Sequence, residues 1–170
     1  MSMNERSTII RLSLAAVFAA LVAVSTLMIQ IPVPATGGYI NVGDAMIFTG
    51  ALLLGPIVGV AAGGVGSAIA DAVSYPVFAP YTLVIKGFEG FIAGYIKDGK
   101  SLVRDLLAWI VGSGVMVLGY FITEAYVMGL GPVSAAVEVP GNIFQVVFGG
   151  VVGIPLSRTL RKILPSIITS

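Results

Sequence analysis

The chain has no cysteine and no histidine, a single tryptophan in 170 residues, and only 10% charged side chains. Lacking cysteine, it forms no disulfide, iron–sulfur cluster or thiol nucleophile; lacking histidine, it has neither the commonest metal ligand nor the commonest general base. Most redox and hydrolytic chemistry is excluded at once, and no metal or cofactor is expected. A net charge of +1 argues against nucleic acid, which selects for basic residues clustered on an exposed face. What the chain has in quantity is apolar: 57% of it is hydrophobic and its mean hydropathy is +1.03, outside the range of soluble domains. The composition is that of a membrane protein, whose possible work is transport, binding or scaffolding within a bilayer.

The apolar stretches give five spans or six. Ile9 to Ile29 is a run of 21 residues broken only by Arg11, enough to cross about 30 Å of hydrocarbon. Arg6 and Arg11 ahead of an apolar run also suit a signal peptide, but the run exceeds the usual apolar core of one and no A-x-A cleavage pattern follows, so it is read as a span. Met46 to Ala70 is uncharged for 25 residues, with Gly55-Pro56 in its middle as a kink or a turn. The basic residues decide between them. With a turn there and the N-terminus inside, Arg6, Arg11, Lys97, Lys100, Arg104, Arg158, Arg161 and Lys162 all fall on the cytoplasmic side and none outside. Without it, the best orientation leaves Arg6 and Arg11 outside. The predicted fold is therefore an all-α membrane protein, one domain over residues 1–170, with six transmembrane helices near 9–29, 41–54, 56–74, 80–96, 103–128 and 138–160 and both termini cytoplasmic. Pro56 takes a first helical position, where its missing N–H costs nothing. Irregular backbone then gathers at the outer face, in Gln30 to Ile40, Tyr75 to Pro80 and Gly129 to Val137. No internal repeat is visible.

Small residues mark helix contacts. Ala15, Ala16, Ala19, Ala20 and Ala23 lie within an arc of roughly 140° on the first helix, a smooth strip for close packing inside the bundle or against a partner. Gly59, Gly63, Gly66, Ser67 and Ala70 on the third helix, and Gly149, Gly150 and Gly153 on the last, are expected to pack internally.

Polar residues mark the interior. Lys86 and Glu89 fall within the fourth span, where each costs on the order of 3 kcal/mol near the bilayer centre unless paired or wet. Both must face inward, and at i and i+3 they can pair, either as a structural ion pair or as part of a ligand cavity. Asn142 and Gln145 make a second i, i+3 pair in the outer half of the last helix, placed to bridge helices or to read a ligand. Glu124 lies in the outer part of the fifth helix between Tyr120 and Tyr126, while Asp44 and Asp71 are expected at the outer edges of the second and third helices, facing water. With Glu138, four acids stand on or near an outer side whose loops hold no lysine or arginine, a field that draws cations, tolerates neutral solutes and repels anions.

One pattern misleads. Gly94 to Ser101 satisfies G-x-x-x-x-G-K-[ST], but a phosphate-binding loop needs a buried strand before it and an α/β domain around it. Here a transmembrane helix precedes and another follows, so the stretch is read as a basic glycine turn.

The segments Gly38-Tyr-Ile-Asn-Val-Gly-Asp44, Gly55-Pro56, Gly63 to Asp71, Ala79-Pro-Tyr-Thr-Leu-Val-Ile-Lys-Gly-Phe-Glu-Gly90 and Glu138-Val-Pro-Gly-Asn142-Ile-Phe-Gln145 resemble the substrate-binding S components of energy-coupling factor (ECF) vitamin transporters, in particular the riboflavin and thiamine-precursor types. The resemblance covers nearly the whole chain. It implies a vitamin-binding subunit of the cell membrane without an ATPase of its own, working with a membrane coupling subunit and two ATP-binding cassette ATPases, and toppling in the membrane to carry its cargo. It implies a ligand held near the outer face by residues around Asn41, Lys86, Glu89, Tyr120, Glu124, Asn142 and Gln145. It also implies a coupling-subunit contact through the alanine strip of the first helix, Ala15, Ala16, Ala19, Ala20 and Ala23. The single tryptophan, Trp109, falls in the inner part of the fifth helix, so no aromatic cage for thiamine is expected. The competing reading is a stand-alone carrier or channel using Lys86, Glu89 and Glu124 as an ion relay.

Overall fold

In hydrocarbon every backbone N–H and C=O must be satisfied within its own segment, so long apolar runs punctuated by glycine and proline become helices. The computed structural model describes residues 3–163. They form α1 (Met3–Met28), a hairpin of β1 (Gln30–Val33) and β2 (Gly38–Asn41), α2 (Asp44–Leu54), α3 (Pro56–Ser74), α4 (Ala79–Ile96), α5 (Leu102–Val127) and α6 (Pro132–Ile163). Thr8–Met28 and the whole of α3, α5 and α6 are long and apolar enough to cross a membrane; α2 is an apolar helix of 11 residues, and α4 carries Lys86 and Glu89.

The turn at Gly55-Pro56 is real. Gly55 has φ +96°, a conformation that only glycine adopts without strain, and Pro56 opens α3. Beyond it α3 and α4 cross at backbone contact. A Cβ on Gly59 would fall on the carbonyl of Gly90, one on Gly63 on the carbonyl of Lys86, and one on Gly94 on the Gly55–Pro56 peptide. Gly66 sits in the same way against Ala19 of α1. On α6, Gly149 and Gly153 seat on α2 at Asp44 and Phe48, and Gly150 lies beneath Trp109, whose Nε1 donates to the Val146 carbonyl at 2.8 Å. Both glycine strips thus pack internally. The alanine strip divides: Ala15, Ala19 and Ala23 are buried in the bundle, and Ala16 and Ala20 are exposed on its surface. Ala61–Gly66 in α3 and Thr123–Val127 in α5 are wound as π-helix, a form that recurs at functional sites.

Three backbone expectations are corrected. Gln30 to Ile40 is not irregular but an antiparallel hairpin in the register Gln30↔Asn41, Ile31↔Ile40, Pro32↔Tyr39 and Val33↔Gly38, so the fold is mostly helical rather than all-α. Its turn closes on the Val33 carbonyl, which accepts from Thr36 and Gly37, with Gly37 at φ +72°. Asn41 therefore ends a strand and does not start a helix; α2 begins at Asp44, after the Asn41 side chain accepts from the Gly43 N–H at 2.8 Å. Finally, α6 starts at Pro132 rather than 138 and runs through Pro140, which places Glu138 well inside the helix rather than at its first residue.

At the end of the bundle away from the hairpin, Arg161 of α6 donates to the carbonyls of Leu52 and Gly99, Arg158 pairs with Asp105 at 2.8 Å, and Lys97 donates to the Leu53 carbonyl at 3.2 Å. Gly94 to Ser101 is the end of α4 and the turn that follows, with no strand before it, so the phosphate-loop geometry is absent. In that turn the Asp98 carboxylate accepts from the N–H groups of Lys100 (2.9 Å) and Ser101 (2.8 Å), and these bonds hold its pKa below the usual carboxylate value. A pKa lowered by folding gives stability that is present above the unfolded value of about 3.9 and is lost as pH falls through the folded one. Asp98→Ala should therefore be less stable than the parent near neutrality and should converge with it in strong acid. Unfolding in detergent followed across pH measures this; a constant gap down to the lowest pH would contradict it.

Candidate functional site

The length of α2 sets the depth of the site. Eleven helical residues rise about 16 Å, roughly half of the hydrocarbon thickness, so the first residue of α2 lies near mid-bundle and the hairpin fills the space beyond it. That first residue is Asp44. It is fully buried and makes a close ion pair with Lys86, which also stands 3.5 Å from Glu89 Oε2. Asp44 is therefore not a water-facing edge residue, and Glu89 is not the closest partner of Lys86. The other oxygen of Asp44 accepts from Gln145 Nε2 at 3.1 Å, and Gln145 Oε1 accepts from the Asn41 N–H at 2.8 Å. A continuous polar chain thus joins α4, α2, α6 and β2.

The hairpin is fastened to the bundle by a series of hydrogen bonds: Gln30 donates to the Ser74 hydroxyl at 2.9 Å and the Thr26 hydroxyl to the Asn41 side chain at 3.4 Å. The Thr36 hydroxyl donates to Glu138, the Tyr39 hydroxyl to Asp71, and Asn41 is held by Gln145. Asp71 is thus buried as well, against the expectation of an exposed edge. The Tyr39 ring stacks on Tyr75 with centroids 4.6 Å apart, and burial together with the neighbouring Asp71 carboxylate pushes the Tyr39 hydroxyl pKa well up. Beneath the hairpin is a small, partly open cavity with a free volume of about 20 Å³, room for one water. Its walls carry Asn41, Asp71, Thr82, Lys86, Tyr120, Glu138, Asn142 and Gln145. The Thr82 and Tyr120 hydroxyls bond each other at 2.7 Å. Asn142 is 3% exposed, and its amide has no hydrogen-bond partner among the described residues. Outside the hairpin lies an open cleft of about 410 Å³ lined by Thr36, Tyr75, Phe78, Met128 and Leu130. Phe78 borders both spaces and is the partition between them.

Of the residues expected at a ligand site, Asn41, Lys86, Tyr120, Asn142 and Gln145 line this cavity. Glu89 and Glu124 do not. Glu89 stands behind Lys86, and Glu124, fully buried in the π-turn of α5, is an electrostatic neighbour of Glu138, with neither oxygen reached by a donor. Asp71, Glu138 and Tyr39 join the site from outside the expected ligand set, and Thr82 joins it from the polar face that helical spacing gives it in common with Lys86 on α4. The chamber offers one cation, two carboxylates, three amides and four hydroxyls, a set that can read the heteroatoms of a small polar ring.

Residues 6–162 match the family described as ECF-type riboflavin transporter, S component. An uncharacterized protein of Pyrococcus woesei is 48% identical over 142 residues, 83% of this chain and 95% of that one. The thiamine precursor transporter HmpT of Lactococcus lactis subsp. cremoris is 28% identical over 164 residues, 95% of this chain and 94% of its own length. Among solved structures, the S component of a bacterial ECF transporter superposes with a TM-score of 0.71 at 19% identity over 91% of this chain and 96% of that one, a shared fold.

Proposed function

This chain belongs to the family of ECF-type riboflavin transporter S components, and on that premise we propose that it captures a water-soluble vitamin or precursor, riboflavin or a thiamine- or hydroxymethylpyrimidine-like compound, in the cavity beneath its hairpin. It is a multi-pass cell membrane protein and a transporter component rather than an enzyme. The hairpin faces outward and both termini face the cytoplasm, because Lys97, Lys100, Arg104, Arg158 and Arg161 collect at the opposite end. The energy comes from two ABC ATPases through a membrane coupling subunit, and the chain topples to deliver its cargo. Of the alanine strip, Ala16 and Ala20 are the members free to meet the coupling subunit, whereas Ala15, Ala19 and Ala23, expected there as well, are buried against the protein's own bundle and are not offered to a partner.

The observation that carries this reading is the amide of Asn142, which lines the polar cavity without a hydrogen-bond partner among the described residues. A polar group at a cavity wall that no protein group satisfies is available to a ligand. Mass spectrometry of the protein purified in mild detergent and then denatured should find a stoichiometric vitamin or precursor. Asn142→Ala should weaken its binding by about tenfold or more. A folded protein that carries no small molecule and binds none of a vitamin panel would end this reading. The alternative, a stand-alone carrier or channel relaying ions through Lys86, Glu89 and Glu124, draws support from the buried Asp44–Lys86–Glu89 cluster. It requires uptake in vesicles that contain no ATPase.

A further inference from the structure

The buried acids near the cavity outnumber the donors that serve them. Lys86, the one fully buried cation among the described residues, is taken by Asp44 and Glu89, and Asp71 accepts from the Tyr39 hydroxyl. Glu138 lines the cavity and accepts from a single hydroxyl, that of Thr36. Behind it Glu124 is fully buried with both oxygens unpartnered. One turn further along α6, on the same face as Glu138, the unpartnered Asn142 amide lines the same cavity. At the cavity wall Glu138 thus has one hydroxyl donor, that of Thr36, beside an amide without a partner among the described residues.

Resting on the vitamin-binding reading above, we propose that Glu138, backed by Glu124, determines specificity by recognising an amino group on a nitrogen heteroaromatic ring, so that the cargo is an aminopyrimidine-type compound rather than a flavin. A ring N–H beside an exocyclic amine gives a carboxylate two parallel hydrogen bonds, the fork by which a guanidinium is recognised. Glu124 stands directly behind Glu138 as its electrostatic neighbour. Asn142 then has a ring nitrogen or hydroxyl to read. A flavin ring has its single N–H between two carbonyls and no N–H beside an exocyclic amine, so that it can give Glu138 single hydrogen bonds from that N–H or from a side-chain hydroxyl but not the paired fork. Size points the same way, since a cavity of about 20 Å³ must widen less for one ring than for three. Thr36, in the turn of the hairpin, is the group that gives way.

The test is calorimetric titration of the full chain in detergent with 4-amino-5-hydroxymethyl-2-methylpyrimidine, with the analogue bearing hydroxyl in place of the amine, and with riboflavin. The amino compound should bind, and the deaminated one should bind roughly ten- to a hundredfold more weakly. Glu138→Gln should weaken the amino compound by a similar factor and leave the deaminated one unchanged, so that the two losses do not multiply. Glu124→Gln should weaken the amino compound less. Should the Glu138 variant not fold, the two pyrimidines on the parent protein decide alone. Equal affinity for both, or riboflavin bound with no aminopyrimidine, overturns this inference and leaves vitamin binding intact. A folded protein that binds none of the three, and nothing else in the vitamin panel, overturns both.

Discussion

Lys86→Met is expected to cost about 3–5 kcal/mol of stability and to abolish ligand binding. Its ammonium is the counter-charge for two carboxylates, Asp44 and Glu89, and all three groups are buried. Without it the acids keep unequal support. Asp44 retains the Gln145 amide at 3.1 Å, whereas neither oxygen of Glu89 has a hydrogen-bond donor. The penalty is therefore that of stranded charge more than of a lost attraction, and this makes a distinctive pattern. Glu89→Gln introduced into the Lys86→Met protein should recover part of the loss, because it removes the worse-served charge, although alone it leaves the Asp44–Lys86 pair intact. Coupled residues of this kind are strongly non-additive. Unfolding of the parent, both single variants and the double variant in one detergent measures the cycle. A Lys86→Met protein as stable as its parent, or a double variant no better than it, would show that the cluster is not an ionic unit.

How much of this was legible in the sequence depended on which physical quantity was asked for. The number of helices was legible, because charge distribution and the Gly55-Pro56 turn are local facts. The polar face of α4 and the Asn142–Gln145 pair were legible for the same reason, as helical spacing alone brings them to one side. Depth was not. Hydropathy marks where an apolar run lies but not where an 11-residue helix begins within it, so Asp44 was assigned to the edge while the short α2 places it in the middle of the bundle. The hairpin was hidden because Pro32, Pro34 and Gly37-Gly38 read as loop, although Pro32 is tolerated on a two-stranded ribbon where no second neighbour needs its N–H. Glu138 was missed because glycine and proline before it suggested a loop, whereas Pro132 takes the first turn of α6. The alanine arc showed an intermediate case. Its width was readable, but which side faces the bundle is decided by Gly66 of α3 pressing on Ala19.

The α3–α4 crossing yields the second large effect, because the obstacle to a side chain there is backbone. Gly59→Ala and Gly63→Ala each place a methyl on a carbonyl of α4, that of Gly90 and that of Lys86, and a carbonyl within a helix cannot rotate aside as a side chain can. Overpacking ordinarily costs about 1–3 kcal/mol; each of these should reach the top of that range or exceed it, and the double variant should yield no folded protein. Gly87→Ala, whose Cβ would lie 3.6 Å from the Gly64 Cα, and Gly114→Ala, with nothing within 4 Å, should be neutral or slightly stabilising, since alanine is the better helix former by about 1 kcal/mol. The two costly substitutions should also differ from each other. Gly63 bears on the residue that carries the ion pair, so moving α4 away there draws the Lys86 ammonium off Asp44, and Gly63→Ala should lose ligand affinity even at temperatures where it remains folded. Gly59 bears one turn further from the cavity, and its variant should bind nearly as well as the parent until it unfolds. Melting curves and ligand titrations on the same preparations separate these outcomes. Equal affinity losses in the two variants would mean that α4 shifts as a rigid rod, and that the position of Lys86 is not set locally by the glycine beneath it.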